Sequence, residues 1–317
     1  MADRAASPAQ RSQKSLAHLP IGLLAIPLGL GGLGLAWRHM AEAHPALRPV
    51  GEALMALTAL VWAALVTLHA IRALAHPHAV REDWQHPFRA SFIGAASIGM
   101  MLTAAALTPH LPGLARAVLL LAVILHLGIG LSLLARVMRG AGSPAMLAPP
   151  LMIPLVGNVL APIFCAPLGL VPLGWMLFGI GMLLWLGLQP LLYARIFAGP
   201  LPPPMRPSLA ILIAPPAVGA LAMDALGGPP QAVWALYGLA AFVFALVLMA
   251  LRSMVAGGFG LGFWAFTFPL AAFSTITMKL GPGWTGWVML ALTTIVIGLI
   301  AARTAILAAR GAYLRAT

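Results

Sequence analysis

The chain has 317 residues, of which 62% are hydrophobic and only 8% charged, and its mean hydropathy is +0.99. A soluble domain carries about 45–50% apolar and about 25% charged residues, so this composition cannot cover a water-facing surface and must be solvated by lipid. Eighteen Lys and Arg against six Asp and Glu give a net charge of +12. The basic residues stand singly at the ends of apolar runs, the pattern of loops facing anionic lipid, which excludes a nucleic-acid patch.

A membrane-spanning helix takes about 20 residues, and the apolar runs predict ten. After a tail at 1–16 they fall at Leu19–Trp37, Val50–Ala73, Phe88–Leu107, Leu114–Met138 and Leu147–Pro167. The other five are Pro172–Phe197, Pro207–Leu226, Ala232–Leu251, Phe259–Met278 and Trp284–Leu307, before a second tail at 308–317. The membrane domain is therefore 17–307. Arg4, Arg11 and Lys14 before the first run, and Ala41-Glu42-Ala43 after it, imitate a secretory leader. The run is too long for a leader and more spans follow, so it reads as a retained helix. Short connections make neighbours antiparallel hairpins, five in all. With the N-terminus inside, fourteen basic residues lie on the cytoplasmic side and only Arg38, Arg48, Arg116 and Lys279 on the other. That asymmetry places both termini in the cytoplasm and the protein in the cell membrane.

The chain contains 33 Gly and 28 Pro, about a fifth of its residues against a usual ~12%. The prolines alternate. Pro27 interrupts the first run, Pro154 and Pro162 the fifth, Pro215 and Pro216 the seventh and Pro269 the ninth, while the third is loosened by Gly94, Ser97 and Gly99. Among the even runs only the sixth has an internal proline, Pro190. A proline removes a backbone hydrogen bond and kinks the helix, and the freed carbonyl in hydrocarbon must find protein, a hydroxyl or water. The expected architecture is all-helical, with kinked odd-numbered helices inside and regular even-numbered helices facing lipid.

The odd helices also carry the mild polar groups, of which Ser97, Asn158, Thr267 and Ser274 are the candidate pore-lining residues. Each hydroxyl can equally bond its own helix. None of the five has a mid-span Asp, Glu, Lys or Arg; Asp224 and Lys279 lie at span ends. Cation- and proton-coupled carriers place a buried ionisable group in the path. A path of hydroxyls and apolar residues between basic rims suits the weak passage of anions.

Several patches resemble the tellurite-resistance/dicarboxylate transporter family, the family of bacterial TehA and the plant slow-type anion channels. They are Leu19-Pro20-Ile21-Gly22 with Gly31-Gly32-Leu33-Gly34 and Ala36-Trp37-Arg38, and His86-Pro87-Phe88-Arg89 before the third span. Gly181 to Trp185 with Gln189-Pro190 and Arg195, and Leu201-Pro202 to Arg206 with Ala214-Pro215-Pro216, are similar to its sixth and seventh spans. The strongest is Gly262-Phe263-Trp264-Ala265-Phe266-Thr267-Phe268-Pro269 in the ninth. The resemblance implies five hairpins around a central pore in each protomer of a homotrimer. It also implies a phenylalanine on the ninth helix that plugs the pore, here Phe268. The passengers it implies are small inorganic or carboxylate anions, with no cofactor.

Two other readings need groups the sequence lacks. A proton-coupled C4-dicarboxylate carrier requires a titrating residue in the path, and only His126 lies near mid-span; it reads as a histidine bonded to a nearby helix. A sulfite or tellurite exporter of the same family fits the same pore. An intramembrane enzyme needs clustered acids or histidines on facing helices. His76, His78, Glu82, Asp83 and His86 do not have zinc-site spacing and read as a solvated loop. Cys165, the sole cysteine, forms no intrachain disulfide.

Overall fold

The structure is a computed structural model that describes residues 15–281 and 283–315. Most of the expected N-terminal tail, with Arg4, Arg11 and Lys14, lies outside the described residues, as do 316–317 of the C-terminal one. The described residues contain helices and no strand. Among the described residues, nine helices are long and apolar enough to cross a membrane. We label the helices in chain order α1 (Ile21–Ala43), α2 (Pro45–Ala75), α3 (Arg89–Leu107), α4 (Pro112–Ala141), α5 (Pro149–Cys165), α6 (Val171–Phe197), α7 (Pro203–Ala225), α8 (Pro230–Val255), α9 (Leu261–Leu280) and α10 (Gly283–Ala309).

The shorter one is α5. Where a run Leu147–Pro167 interrupted at Pro154 and Pro162 was expected, the helix is broken into four short pieces, alternately 3₁₀ and α, between Pro149 and Cys165. Its prolines at 149, 150, 154 and 162 cannot sustain a continuous α ladder. The 3₁₀ pieces rise about 2.0 Å per residue against 1.5 Å in an α-helix, so these residues still extend roughly 25–30 Å.

The same device shapes the other odd helices. α1 begins as a 3₁₀ segment, Ile21–Ala25, and becomes α at Ile26–Ala43. α3 changes from Arg89–Ile93 to Gly94–Leu107, α7 from Pro203–Ile213 to Ala214–Ala225, and α9 from Leu261–Phe266 to Thr267–Leu280. Pro27, Pro162, Pro215, Pro216 and Pro269 all lie in the first turn of the α segment that follows, where a missing N–H is tolerated. The prolines thus mark where one helical type hands over to another. In the even helices, Pro190 alone sits inside a long regular helix.

Burial follows the alternation. In the most apolar stretches of α1, α3, α7 and α9, 61–67% of residues are buried within the protein, against 11–33% for α2, α4, α6, α8 and α10. Leu60, Ile124, Leu183, Phe242 and Ile295, one from each even helix, are at least 60% exposed. Among the described residues, every exposed large apolar side chain lies on an even helix except Leu111 in the α3–α4 turn. Such a surface is stable only against lipid or another subunit. Contacts run from α1 to α3, α3 to α5, α5 to α7, α7 to α9 and α9 back to α1, and each even helix packs on the odd helix before it. The segment before α1 meets the one after α10, because the Ser15 N–H donates to the Leu314 carbonyl at 2.9 Å.

Close approach of α1 to α9 depends on Gly29. A Cβ there would overlap the Thr267 Oγ1 and Cβ and come within 2.9 Å of the Trp264 ring. Gly29→Ala is expected to force the two helices apart and cost about 1–3 kcal/mol, read as a lower thermal unfolding midpoint of the detergent-solubilised protein. An unchanged midpoint would mean that the helices can separate freely.

Candidate functional site: a cavity among the odd-numbered helices

A cavity of about 490 Å³ runs from the segments around Ala17 and Tyr313 to the level of Phe268 and Pro269. All five odd helices line it. Gly22 and Leu28 come from α1, Phe92 and Ile98 from α3, Val156 and Leu160 from α5, Ile211 and Val218 from α7, and Trp264 and Phe268 from α9. From the described even helices only Arg72, at the end of α2, reaches it. The deep wall is apolar, so a hydrated ion that enters must shed water or wait for the wall to move.

The wall is anchored from behind by indole donors. Trp264 Nε1 donates to Thr304 Oγ1 of α10 at 3.0 Å, and Trp62 Nε1 of α2 to the Ala96 carbonyl of α3 at 2.8 Å. Phe268 lines the cavity and leans on Gly32 of α1: a Cβ at position 32 would lie 3.2 Å from its Cδ2.

The four candidate polar residues are all buried, and none lies in this cavity's wall. Ser97 donates to the Gly94 carbonyl at 2.9 Å and lies 2.9 Å from His126 Nδ1. Asn158 turns outward between two lining neighbours, Gly157 and Val159, and its Nδ2 donates to the Leu177 carbonyl of α6 at 2.8 Å. Thr267 bonds the Trp264 carbonyl at 2.7 Å, the own-helix alternative that sequence left open. Ser274 Oγ is buried without a hydrogen-bond partner. His126, only 1% exposed, sits between Ser97 of α3 and Gly157 of α5, bonded to a neighbouring helix as expected.

At the mouth, the stretch expected to be a solvated loop instead contains the helix Pro77–Gln85, and Asp83 within it is buried. Its carboxylate bonds Arg72 Nη1 at 2.6 Å and lies 3.3 Å from Arg89 Nε, while Arg136 of α4 caps the Trp84 and Gln85 carbonyls. The ion pair pulls the polar helix against the end of the membrane domain. Among the described residues no three metal-ligating side chains gather into one site. Arg72, Arg89 and Arg315 against Glu82 and Asp83 leave the mouth net positive.

His86 Nδ1 accepts the backbone N–H groups of Phe88 and Arg89 at 3.1 and 3.2 Å, capping the start of α3. Burial first, and then the Arg89 charge, hold its pKa below the ordinary 6.5. The neutral ring is the one the fold needs, so this stabilisation is present above the unfolded-state pKa and is lost as pH falls through the folded one. The unfolding midpoint is expected to drop between pH 7 and pH 5, and His86→Asn should flatten part of that slope. Parallel curves would exclude the capping role.

The profile of the voltage-dependent anion channel family matches residues 18–308, which takes in all five odd-numbered helices. The chain belongs to that family. It is 29% identical over 258 residues to a tellurite resistance protein TehA homolog of Haemophilus influenzae, covering 80% of this chain and 79% of the relative. It is 25% identical over 292 residues to the S-type anion channel SLAH2 of Arabidopsis thaliana and 22% over 274 residues to SLAH3 of the same plant. Those matches cover 88% and 83% of this chain but only 56% and 43% of the plant channels, so the chain spans about half their length. The protein is an integral membrane member of an anion channel and transporter family.

Proposed function

We propose that the protein passes small anions through a central pore formed by the five odd-numbered helices, with the Phe268 side chain as its gate. The observation that carries this reading is the apolar cavity: all five odd helices contribute to it, and it ends at Phe268. An apolar constriction holds back hydrated ions until the obstructing side chain moves, and positive ends bias the path towards anions. The 3₁₀-to-α junctions at Pro27, Pro154, Pro162, Pro215, Pro216 and Pro269 supply the bends that let the odd helices line a lumen. The ten crossings form five hairpins with both termini cytoplasmic. The homotrimer implied by the family resemblance belongs to the same proposal, and light scattering of the detergent-solubilised protein tests it.

Purified protein in liposomes, challenged with chloride, nitrate, sulfite, tellurite and a C4-dicarboxylate, tests the function. Passive, pH-independent anion efflux is expected. Flux that requires a proton gradient would instead establish the coupled carrier, and no flux of any anion would remove the pore.

A further inference from the structure

At the end of the protein away from the chain termini, Lys279 of α9 and Asp224 of α7 form an ion pair. The two side chains are 34% and 39% exposed. Lys279 follows Phe268 by eleven residues within the uninterrupted α segment Thr267–Leu280. Eleven residues are three turns at 3.6 residues each, so Lys279 stands on the same face of α9 as Phe268, roughly 16 Å further along. The face that lines the cavity at Phe268 thus ends in an ammonium group.

Asp224 occupies an awkward place for a carboxylate. It lies in the last turn of Ala214–Ala225, where the helix dipole presents its negative end. Lys279, in the last turn of its own helix, complements the dipole there. Arg38, another basic residue at this end, is fixed by Glu52 at 3.0 and 2.7 Å and by the Ala105 and Ala106 carbonyls at 2.7 and 3.2 Å. Arg38 clamps α1, α2 and α3 together. The Lys279 pair joins partly exposed groups across one helix contact, so a competing anion can exchange with it.

Resting on the pore reading above, we propose that Lys279 is the anion-capturing group at the mouth opposite the termini, and that Asp224 is its tethered competitor. An anion arriving from that side takes the place of the Asp224 carboxylate on the ammonium before it moves towards Phe268. Asp224 therefore weakens capture and keeps the mouth from holding its passenger too tightly. The selected class is small, compact anions, inorganic or carboxylate, that pair with an ammonium as a carboxylate does.

The test measures chloride current in planar bilayers on the Phe268→Ala background, with orientation scored by access to a C-terminal tag. Adding Asp224→Asn is expected to lower the half-saturating chloride concentration about three- to tenfold from the Lys279 side alone, as removal of a neighbouring opposing charge predicts. Adding Lys279→Gln is expected to raise it on that side and to reduce anion-over-cation permeability, while Lys279→Arg retains both. Equal changes from the two sides, or none, would overturn the assignment while leaving the pore intact. A Phe268→Ala protein that carries no anion current would overturn the pore and this inference together.

Discussion

Phe268→Ala is expected to raise passive chloride efflux from proteoliposomes by about tenfold or more, the factor that follows from removing about 1.4 kcal/mol from a barrier. The side chain lies at the deep end of the cavity, against the small surface of Gly32, and its ring makes no hydrogen bond. Truncation therefore widens the lumen without orphaning a polar group. Phe268 is only partly buried, so the loss of packing should be smaller than the roughly 3–5 kcal/mol of a fully buried Phe→Ala. Phe273, five residues later, provides the contrast. It is 5% exposed and stacked on Phe244 at 4.6 Å and Tyr237 at 5.9 Å, facing α8. Phe273→Ala should lower the unfolding midpoint and leave efflux unchanged. Both proteins are quantified by reconstituted mass, with efflux followed by a chloride electrode. Equal efflux from wild type and Phe268→Ala at matched protein density would remove the gate.

The membrane character of the chain is legible in its 8% charged residues, since no folding pattern could hide so much apolar surface from water. The alternation of buried and exposed helices is legible as well, because proline position is a local property that survives into the fold. What the prolines do is less legible. A proline within an apolar run reads as a kink in an α-helix, yet here most of them open an α segment after a 3₁₀ one. The pitch before the proline is decided by packing against neighbouring helices, which sequence does not display.

That change of pitch explains why the facing of the polar residues is not legible in the sequence. In 3₁₀ helix each residue turns about 120°, in α helix about 100°, so the facing of a residue near a junction cannot be counted from afar. Asn158 lies inside the 3₁₀ piece Gly157–Leu160 and turns to α6, although the residues on either side line the cavity. The aromatic motif of the ninth span carried Phe268 by resemblance, and no periodicity would have singled it out from Phe263, Phe266 and Phe273. Two ion pairs were visible only as isolated charges. Asp224 and Lys279 are 55 residues apart, and Asp83 sits in a polar stretch that gives no sign of burial.

Asp83→Ala is expected to destabilise the protein by about 3–5 kcal/mol, the usual cost of leaving one member of a buried ion pair without its partner. Arg72 and Asp83 side chains are only 5% and 4% exposed. Without the carboxylate, the Arg72 guanidinium keeps its bonds to the carbonyls of Ala17 at 3.2 Å and Ala79 at 3.4 Å but has no facing anion. It then remains charged in a poorly solvated pocket, because a guanidinium does not give up its proton to escape. The damage should spread beyond the pair, since Arg72 joins the end of α2 to both the Pro77–Gln85 helix and the segment before α1. Arg89 supplies the control: it also faces Asp83, at 3.3 Å, but its side chain is 45% exposed. Water replaces much of what Arg89→Ala removes, so that variant should cost less than about 1 kcal/mol. Thermal unfolding of the detergent-solubilised proteins separates the cases. A midpoint for Asp83→Ala equal to that of Arg89→Ala would show that solvent reaches the Arg72–Asp83 pair, and the tie between the polar helix and the membrane domain would then have to come from elsewhere.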